Sequence, residues 1–281
     1  MARLDQYLIR AGFLPAREAA SEEIKAGKVM VNNKLCIKPG YQVKDTDQVR
    51  YLGEGRRYVS RGAQKMLGAL KAFHPILEGC RCLDVGASTG GFTQVMLEQG
   101  AAYVAAIDVG HGQLDPILQQ DPRVKEYSGL NFRSIPPELT EELRDFDFAT
   151  MDVSFISVCL LAEPLHQALR GSGQAILLIK PQFEAGRGAH NKAGVVKDPQ
   201  KHEEVLQKVL DCCEACGFEL LGLTHSPLKG PEGNIEYLLY IEKHNDPARP
   251  SQTDRFPLGS IVAEAFRALD QPEDRLRGTH E

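Results

Sequence analysis

Apolar positions along the chain repeat with two different spacings, and the changes between them predict its elements. Leu4, Leu8 and Ile9 fall on one face of a first helix. Pro15-Ala16 opens a second helix that runs through Ile24 and stops at Gly27. Lys28 to Val31 then reads as a strand, Asn32-Asn33 as a hairpin-type turn, and Gln48 to Tyr51 as the strand that closes a small α+β module. A linker and a short helix occupy Gly53 to His74. From Cys80 onward strands and helices alternate. Cys82 to Val85 is a strand, followed by a glycine-rich turn and a helix from Phe92 to Glu98. Ala101 to Ile107, Val124 to Tyr127, Phe146 to Asp152 and Gln174 to Ile179 supply four more strands, with a helix through Leu169 before the last of them. Val205, Leu206, Val209, Leu210 and Cys213 mark the buried face of a helix from Pro199 to Cys216, ended by Gly217. Phe218 to Leu223 and Ile235 to Ile241 are expected to pair as an antiparallel edge. After a polar linker, Ile261, Val262, Ala265, Phe266 and Leu269 share one face of a last helix. The alternation predicts an α/β fold with a doubly wound, mostly parallel sheet. The expected organisation is a small domain at 1–52, a linker and helix at 53–75, the main domain at 76–244 and a helical tail at 245–281.

Charge adds a division that the apolar pattern does not show. The net charge is −5, yet residues 1–75 hold fourteen Lys and Arg against seven Asp and Glu. The front of the chain is therefore at +7 and the remainder at −12. Arg3, Arg10, Arg17, Lys25 and Lys28 lie on or beside the first helices, as expected of a face that meets phosphates. Arg56, Arg57 and Arg61 extend the basic stretch along the sequence. The apolar run Ala175 to Ile179 is far too short to span a bilayer, and the first residues lack the apolar core of a signal peptide. A cytoplasmic protein without a membrane partner is expected. Seven scattered cysteines, an odd number, fit reduced structural thiols. Cys213-x-x-Cys216 has no second ligand pair at finger spacing, so no metal is expected.

The chemistry centres on Asp84-Val85-Gly86-Ala87-Ser88-Thr89-Gly90-Gly91-Phe92-Thr93. A strand running into glycines and then a helix lets backbone approach a ligand beside unpaired helix N–H groups. Neither the dinucleotide spacing nor the phosphate-loop spacing is present. Asp84 precedes the first glycine, where it would repel phosphate and attract an ammonium or sulfonium. Asp108 ends the next strand, where a carboxylate can accept both ribose hydroxyls. Two acids around such a turn suit S-adenosylmethionine. Asp84, Asp108, Asp152 and Lys180 all fall at carboxyl ends of strands, where sheets of this kind gather their chemistry. After the fourth strand stands Asp152-Val153-Ser154-Phe155, with neither an Asn/Asp-Pro-Pro-aromatic turn nor a proline-preceded cysteine, which favours a hydroxyl acceptor. Lys180 is then the candidate base, Lys65 a neighbouring cation that orients the acceptor, and Asp152 and Glu236 the carboxylates that hold both amines.

Two resemblances sharpen these readings. Arg3-Leu4-Asp5, Gly12-Phe13, Arg17, Ala26-Gly27-Lys28-Val29-Met30-Val31-Asn32 and Lys38-Pro39 resemble an S4 RNA-binding domain, with Ala16 and Asn33 as departures. Ser60 to Lys65, Asp84 to Thr93, Asp152 to Ser157, Lys180 to Gly188 and Lys229 to Glu236 together resemble the TlyA or haemolysin-A family, a branch of the FtsJ-like ribose methyltransferases. That resemblance implies a Rossmann-like S-adenosylmethionine-dependent methyltransferase domain, with 2′-O-methylation of cytidine in ribosomal RNA or ribosomal subunits as its reaction. It places a Lys-Asp-Lys-Glu tetrad on Lys65, Asp152, Lys180 and Glu236. It implies cofactor contacts at Asp84, Gly86, Ala87, Ser88, Thr89, Gly90, Gly91, Phe92, Thr93, Asp108, Asn131 and Asp152. RNA contacts are expected at Arg3, Arg10, Arg17, Lys25, Lys28, Arg61 and Arg187. His111 stands where the family often has tyrosine, and Ser128-Gly129-Leu130 replaces a more polar stretch. The competing readings are a catalytically inactive ribosome-assembly factor and a cytolysin.

Overall fold

The computed structural model describes residues 2–10, 13–14, 17–32, 34–44, 47, 49–53, 58–186, 194–230, 232–244 and 253–269. The chain divides into two compact units, Met1–Val59 and Ser60–Glu281.

The first unit contains β1 (Ala2–Arg3), α1 (Leu4–Arg10), α2 (Arg17–Lys25), β2 (Val29–Val31), β3 (Lys34–Leu35), β4 (Gln42–Val43) and β5 (Val49–Tyr51). β2 lies between β3 and β5 in a three-stranded antiparallel sheet, and β1 pairs with β4. Leu4, Leu8, Ala20, Ile24 and Val29 are fully buried between the helices and this sheet. Burying each large aliphatic side chain contributes about 1.5–3 kcal/mol, which is how so small a unit holds together. Asp5 is 2% exposed at the start of α1. Its carboxylate accepts from the Arg3 guanidinium (2.8 Å), Arg17 Nε (3.3 Å) and the Gln6 amide (2.9 Å).

The second unit opens with α3 (Gly62–Phe73), so the helix expected in the linker belongs to this body. There follow β6 (Arg81–Val85), α4 (Gly91–Glu98), β7 (Tyr103–Asp108), α5 (Pro116–Gln119), β8 (Val124–Ser128), β9 (Phe146–Met151) and α6 (Ala162–Ala168). The chain continues through β10 (Leu169–Ile179), α7 (Pro181–Glu184), α8 (Pro199–Ala215), β11 (Phe218–His225), β12 (Tyr237–Lys243) and α9 (Leu258–Leu269). One seven-stranded sheet runs β11-β12-β10-β9-β6-β7-β8. β6 to β10 are mutually parallel, and β12 runs against both of its neighbours. The order reverses at β6, which has β9 on one side and β7 on the other. Crevices for ligands form outside the carboxyl ends at such a point.

Two expectations about this sheet need correction. The last two strands do pair antiparallel, but only β11 is an edge. β12 is inserted beside β10, and Leu238, Leu239 and Ile241 are fully buried as an interior strand requires. β10 also starts at Leu169, five residues earlier than the apolar run suggested. Its pairing with β9 shifts between Leu169 and Gln174, where Gly171-Ser172-Gly173 carries the extra residues and Ser172 takes a positive φ of 63°. The tail helix α9 packs on α8 and β11, burying Val262 and Ala265. All seven cysteines are free, and Cys213 is simply part of the apolar face of α8. Among the described residues no cluster could hold a metal ion, and no helix is long and apolar enough to cross a membrane.

The Asp5 cluster makes the first unit sensitive to acid. Hydrogen bonds from Arg3 hold this carboxyl down from 3.8 to about 2, with Arg17 and the Gln6 amide adding to the effect. A depressed carboxylate stabilises the fold above pH ~4 and loses that contribution as pH falls towards 2. Asp5→Asn should therefore cost on the order of 1 kcal/mol at pH 7, after allowing for the solvent-exposed arginines. The gap from wild type should close between pH 4 and 2, as measured by hydrogen exchange of the α1 and α2 amides.

Candidate active site

The turn after β6 is fastened from three directions. The Gly86 and Ala87 amides donate to Ile107 O at the end of β7, and the Asp152 amide donates to Val85 O from the end of β9. The Ser88 amide donates to Asp108 Oδ2 (2.8 Å), whose other oxygen accepts from Gly110 N (2.7 Å). Gly86 is required by this crowding. Its φ is +82°, and a Cβ there would lie 2.4 Å from Asp152 O.

Asp84 does not face the crevice as expected. It is completely buried beneath the turn, accepting from Thr93 Oγ1 (2.6 Å) and Thr150 Oγ1 (2.8 Å). Burial pushes its pKa up to about 6, against the opposing effect of those two hydroxyls. A strand-end carboxylate reaches a ligand only if the next residues do not close over it, and here Thr93 turns inward to meet it. Gly90 also faces inward, since a Cβ there would strike Leu118 and Leu114. Asp84, Gly90 and Thr93 thus support the turn, whereas Gly86, Ala87, Ser88, Thr89, Gly91 and Phe92 line open space.

That space has two compartments. One, of about 490 Å³, is lined by Ile107, Asp108, Leu130, Asn131, Phe132 and Ile156, among others. Its mostly apolar walls leave room for a nucleoside, with the Asp108 carboxylate at the end of β7 on one side and Asp152 at the end of β9 on the other. Asn131 offers an amide at its rim, its Oδ1 already accepting from Arg133 N (3.0 Å). The two departures from the family pattern lie against each other at this edge. Gly129 has φ +73°, and the His111 ring occupies the place a side chain at 129 would need. The other compartment, of about 230 Å³, is lined by Ser60, Arg61, Gly62, Lys65, the turn, Leu228 and Lys229. Gly86, Ser88 and Asp152 face both.

Around Asp152 the structure brings together all four members of the expected tetrad. Lys65 Nζ from α3 lies 2.6 Å from Glu236 Oε2 and 3.9 Å from Asp152 Oδ2. Lys180 Nζ, at the end of β10, lies 2.6 Å from Asp152 Oδ1 and donates to Ser154 Oγ (3.0 Å). Lys65, Lys180 and Glu236 are 9%, 7% and 1% exposed. Two ammoniums and two carboxylates balance, which is what permits so many charges at low exposure. Lys65 and Asp152 face the smaller compartment, while Glu236 stands behind Lys65.

The sequence reading missed two residues here. Phe155 is 91% exposed with φ +64°, tilted against Phe183 at 4.9 Å between ring centres. A strained backbone holding an aromatic ring in solvent is a feature associated with ligand sites. An aromatic just beyond a strand-end acid, outside any apolar period, was the signal. Glu184 is buried, accepting from Ser157 Oγ (2.6 Å) and Val158 N (2.7 Å), and so fixes the loop that carries Ser154 and Phe155. Nothing in the sequence distinguishes it from a surface glutamate.

The expected RNA contacts separate into groups. Arg3, Arg17 and Lys25 share one cleft of about 470 Å³ in the first unit, together with Asp5, Glu18 and Glu22. Lys28 is not part of it, because its amine pairs with Glu23 at 2.8 Å. Arg61 lines the smaller compartment of the second unit. Arg187 and the Arg10 side chain lie outside the described residues.

Comparison with known proteins agrees with this geometry. The S4 domain matches residues 2–49, and the FtsJ-like methyltransferase matches residues 58–243. The 16S/23S rRNA (cytidine-2′-O)-methyltransferase TlyA of Mycobacterium tuberculosis is 41% identical over 248 residues, covering 88% of this chain and 92% of its own. A solved structure from Streptococcus thermophilus, named as a hemolysin candidate, is 39% identical with a TM-score of 0.72, covering 95% of this chain and 96% of its own. A candidate S-adenosylmethionine-dependent methyltransferase from Listeria monocytogenes shares the fold at 15% identity, with a TM-score of 0.50. It covers 65% of this chain and 100% of its own.

Gly86→Ala tests the turn. The left-handed φ costs about 1–2 kcal/mol for a residue with a Cβ, and relieving the clash with Asp152 O adds about 1–3 kcal/mol. Titration with S-adenosylmethionine should show at least ~10-fold weaker binding, alongside a lowered melting temperature.

Proposed function

Because the chain belongs to the FtsJ-like methyltransferase family and carries an N-terminal S4 domain, we propose that it methylates the 2′-hydroxyl of a cytidine in ribosomal RNA. It is a methyltransferase, and its cofactor is S-adenosylmethionine. The observation that carries the finer reading is the placing of two lysines and two carboxylates around Asp152, between a nucleoside-sized apolar compartment and a smaller polar one.

S-adenosylmethionine supplies an electrophilic methyl on a sulfonium sulfur. Asp108 and Asn131 would hold its nucleoside, with the backbone of Gly86 to Ser88 as the floor of the site. Lys65, fixed by Glu236, orients the acceptor hydroxyl from the side of the smaller compartment. Lys180, once its ammonium proton has passed to solvent, would take the proton of the acceptor hydroxyl at Nζ and so free that oxygen for the methyl group. Asp152 sets the separation of the two amines. Phe155, braced on Phe183, offers an aromatic face to the acceptor base, in keeping with recognition of unstacked RNA bases. Arg3, Arg17 and Lys25 supply phosphate contacts from the S4 unit.

Two experiments test this reading. Labelled methyl should pass from S-adenosylmethionine to naked or subunit-assembled ribosomal RNA and appear in 2′-O-methylcytidine. Lys180→Ala should lower that transfer about 10²- to 10⁴-fold while retaining cofactor binding; near-wild-type turnover would remove Lys180 from the role of base. Lys25→Glu, which leaves the Asp5 cluster intact, should weaken RNA binding and flatten its salt dependence without changing cofactor affinity. Unchanged RNA binding would discount the S4 cleft.

A further inference from the structure

A groove of about 440 Å³ lies beside the smaller compartment, lined by Val195, Val196, Lys197, Pro199, Lys229, Gly233, Ile235 and Phe266. Its volume is within the range of small-ligand sites. It is also preformed by buried polar contacts. Asn234, 1% exposed, accepts from Val196 N (3.1 Å) and donates to Gly194 O (3.1 Å), so both atoms of its amide hold the 194–196 segment. His202, fully buried, bonds Val196 O through Nε2 (3.0 Å) and Tyr237 OH through Nδ1 (2.8 Å). The same imidazole meets the Phe266 ring edge-on at 5.1 Å, which sets that ring as one wall.

The lining is apolar except for two ammoniums. Asp198, next in sequence to Lys197, is turned to the Gln200 amide as the cap of α8. Lys229 lines both this groove and the smaller compartment. Its neighbour Gly230 is pressed against tetrad residue Glu236, since a Cβ there would lie 2.6 Å from the carboxylate. The groove is thus continuous with the acceptor side of the active site, and its chemistry, an apolar slot with two cations, complements a nucleobase with its phosphate.

We infer that this groove is a nucleotide subsite, which holds the RNA residue adjoining the methylated one, with the intervening phosphate between Lys197 and Lys229 and the base against Phe266. The inference rests on the proposed RNA methylation and adds a positioning role for the tail helix α9, which the family match to residue 243 does not reach. An acceptor ribose presented in line requires its flanking phosphate to be fixed, and a second anchored nucleotide does that.

The test uses the full chain, with Lys197→Ala, Lys197→Glu and Lys197→Arg compared on ribosomal RNA. Lys197→Glu should raise KM for RNA at least ~10-fold with kcat and cofactor affinity near wild type, and Lys197→Arg should restore it. Lys197→Ala should reduce the slope of log K against log salt by about one phosphate contact. Ultraviolet crosslinking of 4-thiouridine-substituted RNA should label a peptide containing residues 195–199 or Phe266. Wild-type RNA kinetics in all three variants, with no such crosslink, would overturn the subsite while leaving the methylation reading intact. Absence of methyl transfer by the wild type, with the crosslink present, would overturn the methylation reading and leave the groove as an RNA site.

Discussion

The second unit depends on a charge arrangement that is stable only as a whole. Lys65 is held by Glu236 and Asp152, and Lys180 by Asp152 and Ser154, in surroundings that leave little water. Removing one member of a buried pair strands its partner and costs about 3–5 kcal/mol, more than most surface ion pairs contribute in total. α3, β9, β10 and the residue before β12 are therefore tied to one point. The strands reach it because β6 and β9 are adjacent and parallel, with Asp152 N bonded to Val85 O at the crossing. The helix reaches it because α3 packs at its start against α4, leaving no room at Gly91 for a side chain beside Ser60.

This arrangement also explains why one acid of the turn works from inside. Asp84 and Asp108 both end strands next to glycines, and they differ only in what lies above them. Asp108 faces the larger compartment and secures the turn through the Ser88 amide. Asp84 is covered by the turn itself, and its two threonine partners join β6, α4 and β9 below the ligand floor. The first faces the open space of the site, and the second braces the turn that floors it.

Most strands were legible because they depend on local signals, whereas the grouping of Lys65 and Glu236 with Asp152 and Lys180 came from the family resemblance. Val104 to Ile107 and Ala175 to Ile179 are uninterrupted apolar runs, and strand ends place Asp108, Asp152 and Lys180 at one rim whatever the details of packing. What was not legible depends on tertiary closure. No spacing tells that Thr93 turns inward to cap Asp84, that Lys28 pairs with Glu23, or that β12 inserts rather than adding at the edge. The early start of β10 is hidden because Gly171-Ser172-Gly173 looks like a loop and becomes a bulge only when β9 is there to pair with. Glu184 is the hardest case, a glutamate between Phe183 and Ala185 whose importance comes from the Ser157 and Val158 groups it meets.

The reversed direction of β12 has a consequence for the order in which the enzyme is made. Because this strand runs against its neighbours, its amino-terminal end lies at the rim where the parallel strands finish, so Glu236 enters the charge cluster just before the strand begins. Ribosomal synthesis delivers Lys65, Asp152 and Lys180 well before it, a set with two positive charges and one negative. The nascent protein can thus assemble its cofactor turn early, but the fourth charge arrives only when nearly the whole catalytic body has left the ribosome. Completion of the charge cluster is in this way a report that the final interior strand has been threaded into place.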